Sequence, residues 1–345
     1  MLLIYFADGL LLGGQPRQLG DDLIAVLLKL GGDPSDVRLA RHLGLLWDSE
    51  GAFAAELAIG AKRPQASFHS EWAQVAVLRS GWGRNRRELG VRVDGTRVEL
   101  ALQSCGAPVL RGAMEFVLEV DGVCVKPAGK WIETCWQSDS DADYLEIELE
   151  MNDGWRIQRQ FCVSRRSGAV LIADVVLGST ISDVRQTIKL KAASDATFNP
   201  AGDGRELFVV TGNLKGLVLP VGLPEWQNER SGGISGDLTA VKGLELTSSG
   251  AQCSALYCPL FFALTPKANK KPYTWRRLFV AKNLKHEAEG QAAAVRIQVG
   301  GRQWLLYRSL TEQGNRTFMG QNYASEFVFG EFLLDGSLKP YVEIE

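Results

Sequence analysis

Histidine is scarce in this chain. Its 345 residues include three, His42, His69 and His286, far apart in sequence, which argues against a histidine-rich zinc site. Cysteine is sparse too. Residues 105, 124, 135, 162, 253 and 258 form no C-x-x-C pair, and the nearest two, Cys253 and Cys258, stand beside the apolar run Leu260, Phe261 and Phe262. They read as buried, reduced thiols behaving as small hydrophobes. Neither sign of charge dominates: 38 Lys and Arg against 40 Asp and Glu leave a formal −2. No global field draws the chain to nucleic acid or to an anionic membrane, so any recognition of a polyanion needs a local patch. Long apolar runs are absent as well. The opening MLLIYFADGLLLGGQP has no basic lead and is broken at Asp8-Gly9. It reads as a strand or hairpin, not as a membrane span or a well-formed signal peptide. That points to the cytoplasm, with a periplasmic or secreted location as the alternative if the N-terminus is truncated.

The remaining composition, 46% hydrophobic and 23% charged, is that of a globular chain able to bury a core without disulfides or metals. Residues 21–60 carry helix punctuation. Asp21 and Asp22 precede an apolar run closed by Gly31-Gly32, Asp33 caps ahead of Pro34, and Ser49 caps a third run closed by Gly60. A Pro64-containing connector follows. We read 1–66 as a short helical lead-in and 67–345 as one antiparallel region, because the apolar period changes there to two. Asp-Gly and Gly-Gly tips recur. Two-residue loops set Val91 opposite Val98, Leu118 opposite Val125, and Ile297 opposite Trp304. At Asn152–Gly154 a three-residue loop is needed to set Leu149 opposite Ile157, with glycine in the left-handed position. A last hairpin is expected at Asp335-Gly336, and long loops between Ala192 and Gly236. The expected fold is mainly β, a large antiparallel β-sandwich behind a few helical turns.

Three groups of residues invite a functional reading. Trp82, Arg84, Arg86 and Arg87 form a basic patch beside an aromatic ring; guanidinium forks suit carboxylate and sulfate, and an indole face stacks on sugar. A solvated loop with Trp82 packed inward is the simpler account. Trp131 and Trp136 are further sugar-platform candidates, set against burial in the core. Asp139, Asp141 and Asp143 partly match a calcium loop, but Tyr144 stands where that loop needs glycine. Fully extended, Asp139 and Asp143 would lie about 13 Å apart, too far to share an ion. Only a curled loop could hold calcium; no other cofactor is evident. Glu133 with Asp139 would make a glycosidase acid pair only at a suitable separation.

Three stretches together carry a family likeness: AVLRSGW at 76–82; WIETCWQSDSDADYLEIE at 131–148 with RIQRQFCVSRRSGAVLIAD at 156–174; and RSLTEQGNRTFMGQNYASEF at 308–327. In this order they resemble the β-rich C-terminal part of heparinase II/III-like polysaccharide lyases, with the preceding helices similar to the last turns of that family's helical toroid. The resemblance implies β-elimination on a uronate-containing, anionic polysaccharide. It also implies a Tyr and His pair in the toroid and a histidine-rich, often zinc-bearing strand in the first sheet. The corresponding region, ELALQSCGAPVLRGAMEF at 99–116, has no histidine, so no catalytic residue is carried over. The alternative is a non-catalytic glycan-binding, structural or oligomerisation module.

Overall fold

The structure is a computed structural model describing residues 65–83, 85–227, 233–282, 285–287, 290–312 and 314–345. The helices expected over 21–60, the opening strand and Arg84 lie outside the described residues. The chain divides into two units, Met1–Ser70 and Glu71–Glu345. Strand β1 (Phe68–Ser70) belongs to the first.

The second unit is built from antiparallel strands. The first group comprises β2 (Val75–Arg79), β3 (Arg87–Asp94), β4 (Arg97–Ser104), β5 (Ala107–Val120) and β6 (Val123–Val125). Next come β7 (Ile132–Ser138), β8 (Ala142–Glu150), β9 (Trp155–Ser164) and β10 (Ala169–Ala192). β11 (Thr197–Pro200), β12 (Leu207–Thr211), β13 (Leu214–Leu219), β14 (Ile234–Thr239) and β15 (Gly243–Ala263) complete the large sheet. A second sheet runs β16–β19–β20–β23–β24, from β16 (Tyr273–Arg277), β19 (Ala292–Val299), β20 (Arg302–Ser309), β23 (Phe327–Phe332) and β24 (Leu338–Ile344). A small third sheet holds β17 (Ala281–Lys282), β18 (Lys285–His286), β21 (Arg316–Phe318) and β22 (Gln321–Tyr323).

Two long strands organise the layers. The first half of β10 pairs with β9, its second half pairs with β5, and β15 follows it throughout. The register breaks between Leu177 and Val184, which lets one continuous pair serve two packed layers. One layer holds β2–β5 and the far half of β10. The other holds β7–β9 and the near half. Alternate residues of the second layer enter different cores: Val170, Ile172 and Val176 pack against the first layer, while Leu171, Ala173 and Val175 pack against the second sheet. A layer covered on both faces loses the polar half of its alternation, which is why AVLIADVV is apolar apart from Asp174, the buried partner of Arg159.

Most expected registers are present: Leu118 faces Val125, Ile297 faces Trp304, and Leu149 faces Ile157 with Gly154 at φ 74°. The β23–β24 hairpin turns at Asp335-Gly336. Val91 instead faces Leu100, and Val93 faces Val98. The loop residues are Gly95-Thr96, because Gly95 at φ 59° takes the first central position, where a II′ turn accepts glycine. The partner moves by two residues, so the buried face is unchanged. Among the described residues, the stretch from Ala192 to Gly236 contains the short strands β11, β12 and β13 and the start of β14 as well as loops. The cysteines are all free, yet only Cys162 and Cys258 are buried and Cys124 is exposed.

Candidate functional site: an aromatic slot at the sandwich edge

Among the described strands β7 pairs with β8 alone, and so stands at an edge of its layer. Its pairing places Glu133 opposite Ile147 and Trp136 opposite Leu145. Leu145 and Ile147 face the first layer, so Trp131, Glu133 and Trp136 face it too. Between this edge and β2–β3 lies a slot of 230 Å³ lined by Glu71, Gln74, Lys130, Trp131 and Glu133 over an apolar floor that includes Val91 and Leu145. Glu71 and Gln74 are the ends of a tight turn closed by Gln74 N–H donating to the Glu71 carbonyl at 3.1 Å. Trp72, within that turn, is 96% exposed.

The inner wall is rigidly held. Trp131 is buried, and its indole N–H donates to the Thr96 carbonyl at 3.1 Å. The Arg159 guanidinium lies over its ring at 4.6 Å, and Phe116 meets it edge-on at 6.0 Å. Arg159 is itself fixed by a two-pronged bond to Asp174, at 2.7 and 2.8 Å, with both side chains fully buried. Asp174 takes a third donor, Gln186 Nε2, at 2.7 Å, and so ties the two halves of β10 together.

The acidic loop reaches β2 just ahead of the basic patch, and Arg165, not a patch arginine, supplies its main cationic partner there. The Arg79 backbone N–H donates to Asp143 at 2.7 Å, and Arg165 bonds Asp143 at 2.6 Å and the Arg79 carbonyl at 2.8 Å. Trp82 is buried beneath the Arg79 guanidinium at 4.3 Å. Arg79 pairs with Glu88, which also takes Arg86 at 3.2 Å. Arg87 is buried and reaches the Leu264 carbonyl, its pKa lowered by that burial. Of the patch residues, Trp82 and Arg87 thus face inward.

The acidic loop is curled, with Asp139 N–H bonded to the Ala142 carbonyl, yet its carboxylates do not converge. Asp139 caps the N–H groups of Asp141 and Ala142, Asp141 binds Lys339 at 2.6 Å, and Asp143 serves Arg165. Burial works against ionisation of Asp139, but those two N–H groups, with Gln137 and Arg165, outweigh it and lower its pKa. Among the described residues no three of His, Cys, Asp and Glu gather as a metal site, and residues 99–116 bring no histidine. Neither calcium nor zinc has a fitting donor set there. Glu133 and Asp139 are six residues apart along β7, about 20 Å when extended, against the roughly 5–9.5 Å a glycosidase pair needs.

A second polar cluster, absent from the sequence reading, joins the middle layer to the second sheet. The Tyr144 hydroxyl donates to Glu146 at 2.6 Å, Gln160 donates to both, and the Tyr257 hydroxyl donates to Gln160 at 3.1 Å. Arg308, fully buried, donates to Gln158 at 2.5 Å and Glu326 at 2.7 Å. Its Nη1 stands 3.2 Å from Glu146, near enough for charge attraction but not aligned for a hydrogen bond. Burial disfavours the Arg308 charge, and Glu146, Tyr144 and Glu326 more than offset that, so its pKa is raised. Burial, followed by the Glu146 charge, pushes Tyr144 well above the usual tyrosine range; burial does the same to Tyr257 against the pull of Arg308. The fold favours neutral phenols at both positions. Their stabilisation is therefore complete below about pH 10 and declines as pH rises through the folded values. In an ultraviolet titration these two of the seven tyrosines should ionise only in a cooperative unfolding step. Smooth ionisation of all seven with native circular dichroism retained would contradict this.

The geometry defines a layered antiparallel sandwich with a slot beside β7 lined by Trp131 and polar side chains. No helix among the described residues is long and apolar enough to cross a membrane. Neither a protein-family model nor a curated protein matches the chain. Solved structures do. A mutant of the heparan sulfate lyase HepC from Pedobacter heparinus is similar at a TM-score of 0.52 and 12% identity, over 84% of this chain and 48% of that one. The heparinase III BT4657 gene product with methylated lysines is similar at 0.50 and 11%, over 80% and 47%. The chain spans about half the length of these structures, and at such identities the likeness is one of fold.

Proposed function

We propose that this chain belongs to a polysaccharide lyase-like protein, and that its sandwich holds a uronate-containing glycan. The observation that carries the reading is the edge slot, whose lining joins Trp131 to side chains able to bond sugar hydroxyls, on a fold similar to that of heparan sulfate lyases. Sugar rings present apolar C–H faces to indole and hydroxyls to carboxylate, amide and ammonium groups. β-Elimination also needs a base for the proton beside the uronate carboxylate and a partner to neutralise that carboxylate. Tyr144 and Tyr257 are interior and held protonated, which favours a substrate-holding role for the described sandwich.

The test is incubation of the full chain with sulfated and unsulfated uronate polysaccharides, following ultraviolet absorbance of the unsaturated product alongside retention in glycan affinity electrophoresis. Retention is expected on at least one uronate polymer. Absence of both retention and product with every polymer would overturn the proposal.

A further inference from the structure

We propose that the glycan held in the edge slot continues into a second groove beside the β3–β4 tip, so that one acidic oligosaccharide meets Lys130 in the slot and Lys126 in the groove. This rests on the glycan-binding reading and extends it from one hollow to two.

The groove exists because the first layer has a gap. The pairing of β4 with β5 starts at Val98 and Met114, and that of β6 with β5 ends at Val125 and Leu118. Neither strand therefore pairs with Glu115, Phe116 or Val117. The chain leaves β6 at Lys126, whose carbonyl takes the Asn152 N–H at 2.9 Å, and crosses to the other layer. What remains is a groove of about 470 Å³, with Met114, Phe116 and Val125 as its apolar part and Arg97, Glu115 and Lys126 as its charged part. That size falls within the roughly 300–1,000 Å³ of ordinary ligand pockets.

The two hollows are neighbours. Trp131 lines the slot and Phe116 lines the groove, and their rings meet edge-on at 6.0 Å. The β3–β4 tip is held to Trp131 by two bonds, from its backbone N–H to the Gly95 carbonyl at 3.0 Å and from its indole N–H to the Thr96 carbonyl at 3.1 Å. Residues 126–131 run along both: Lys126 and Pro127 line the groove, Lys130 and Trp131 the slot. Four residues of chain put the two lysine Cα atoms at most about 14 Å apart, a span that a short oligosaccharide covers. Both lysines are exposed, and neither ammonium has a hydrogen-bond or ion-pair partner among the described residues. Arg97, by contrast, is taken by Glu99 at 2.7 Å. One uncommitted cation in each hollow matches a polymer whose carboxylates recur along the chain. Glu115 stands against Lys126 in the groove, so the contact has to be made at short range.

The experiment uses the full chain with a disaccharide and a hexasaccharide cut from an unsulfated glucuronate polymer, and a hexasaccharide cut from heparin. Calorimetry reads affinity, and peptide mass analysis reads the rate at which a maleimide alkylates Cys124. That thiol is exposed and lines the groove, so it reports occupancy there independently of the lysines. The unsulfated hexasaccharide should bind about tenfold tighter than the disaccharide, the equivalent of about 1.4 kcal/mol. At saturation it should slow Cys124 alkylation several-fold. Lys126→Ala should weaken hexasaccharide binding about fivefold, the equivalent of about 1 kcal/mol, at unchanged melting temperature. Hexasaccharide binding that leaves Cys124 reacting at its unliganded rate, or that is untouched by Lys126→Ala, would overturn the second groove and leave the broader function standing. A chain that binds no oligosaccharide of either polymer would bring down both.

Discussion

Replacing Asp174 by alanine is expected to cost about 3–5 kcal/mol of stability, the range for removing one partner of a buried ion pair. The carboxylate accepts three hydrogen bonds, two from Arg159 and one from Gln186, and no water-facing route is open to either charge. Without it, the guanidinium is left charged in an apolar core. Arg159 Nη1 already lacks a hydrogen-bond partner among the described residues, so the loss of two good acceptors is not made up nearby. Deleting both charges should hurt far less: Arg159→Met with Asp174→Leu removes the unpaired ion as well as the pair. Denaturant unfolding of the single and double variants reads the difference as a shift in midpoint. A single variant within about 1 kcal/mol of wild type would mean that this pair is hydrated. The slot should respond too, since Arg159 lies on the back wall formed by Trp131.

The sequence displayed the hairpins and concealed the layers. Asp121-Gly122 and Gly300-Gly301 announce tight turns whose flanking apolar residues then pair as alternation requires. Asp94-Gly95-Thr96 misled because glycine can occupy either central position of a two-residue loop, and only the strand twist decides which. Layering is a long-range property. Nothing local says that β10 serves two layers, so the meeting of Glu71, Gln74, Val91, Lys130, Glu133 and Leu145 in one slot could not be foreseen. Trp131 and Trp136 were legible as aromatic candidates. One signal was there to be read. Arg159 lies in phase with Ile157 and Phe161, and Asp174 with Ile172 and Val176, all of them core residues. Opposite charges at inward positions of adjacent strands point to a buried pair. The acidic loop misled for the converse reason: three aspartates close in sequence each found a different nearby donor, which local spacing does not disclose.

Arg308 shows the same phase relation, standing in step with Trp304 and Leu306 on the face that packs against the middle layer. Replacing it by methionine should cost about 3 kcal/mol or more, because Glu146 would remain nearly buried without its cation. The damage should also be uneven. Gln158, Gln160, Tyr144 and Tyr257 belong to the middle layer, whereas Arg308 belongs to the second sheet, so this side chain is a polar tie between the two. Loss of the tie leaves the Arg159–Asp174 pair untouched. Amide hydrogen exchange should therefore speed up first in β19, β20 and β23, at a free energy below that of global unfolding, while β9 and β10 keep their protection. Adding Glu146→Gln should recover part of the stability, since an amide is cheaper than a carboxylate to leave without a cation. Uniform loss of protection across both sheets would mean instead that they unfold as one cooperative unit, with Arg308 acting on the whole sandwich and not on one boundary within it.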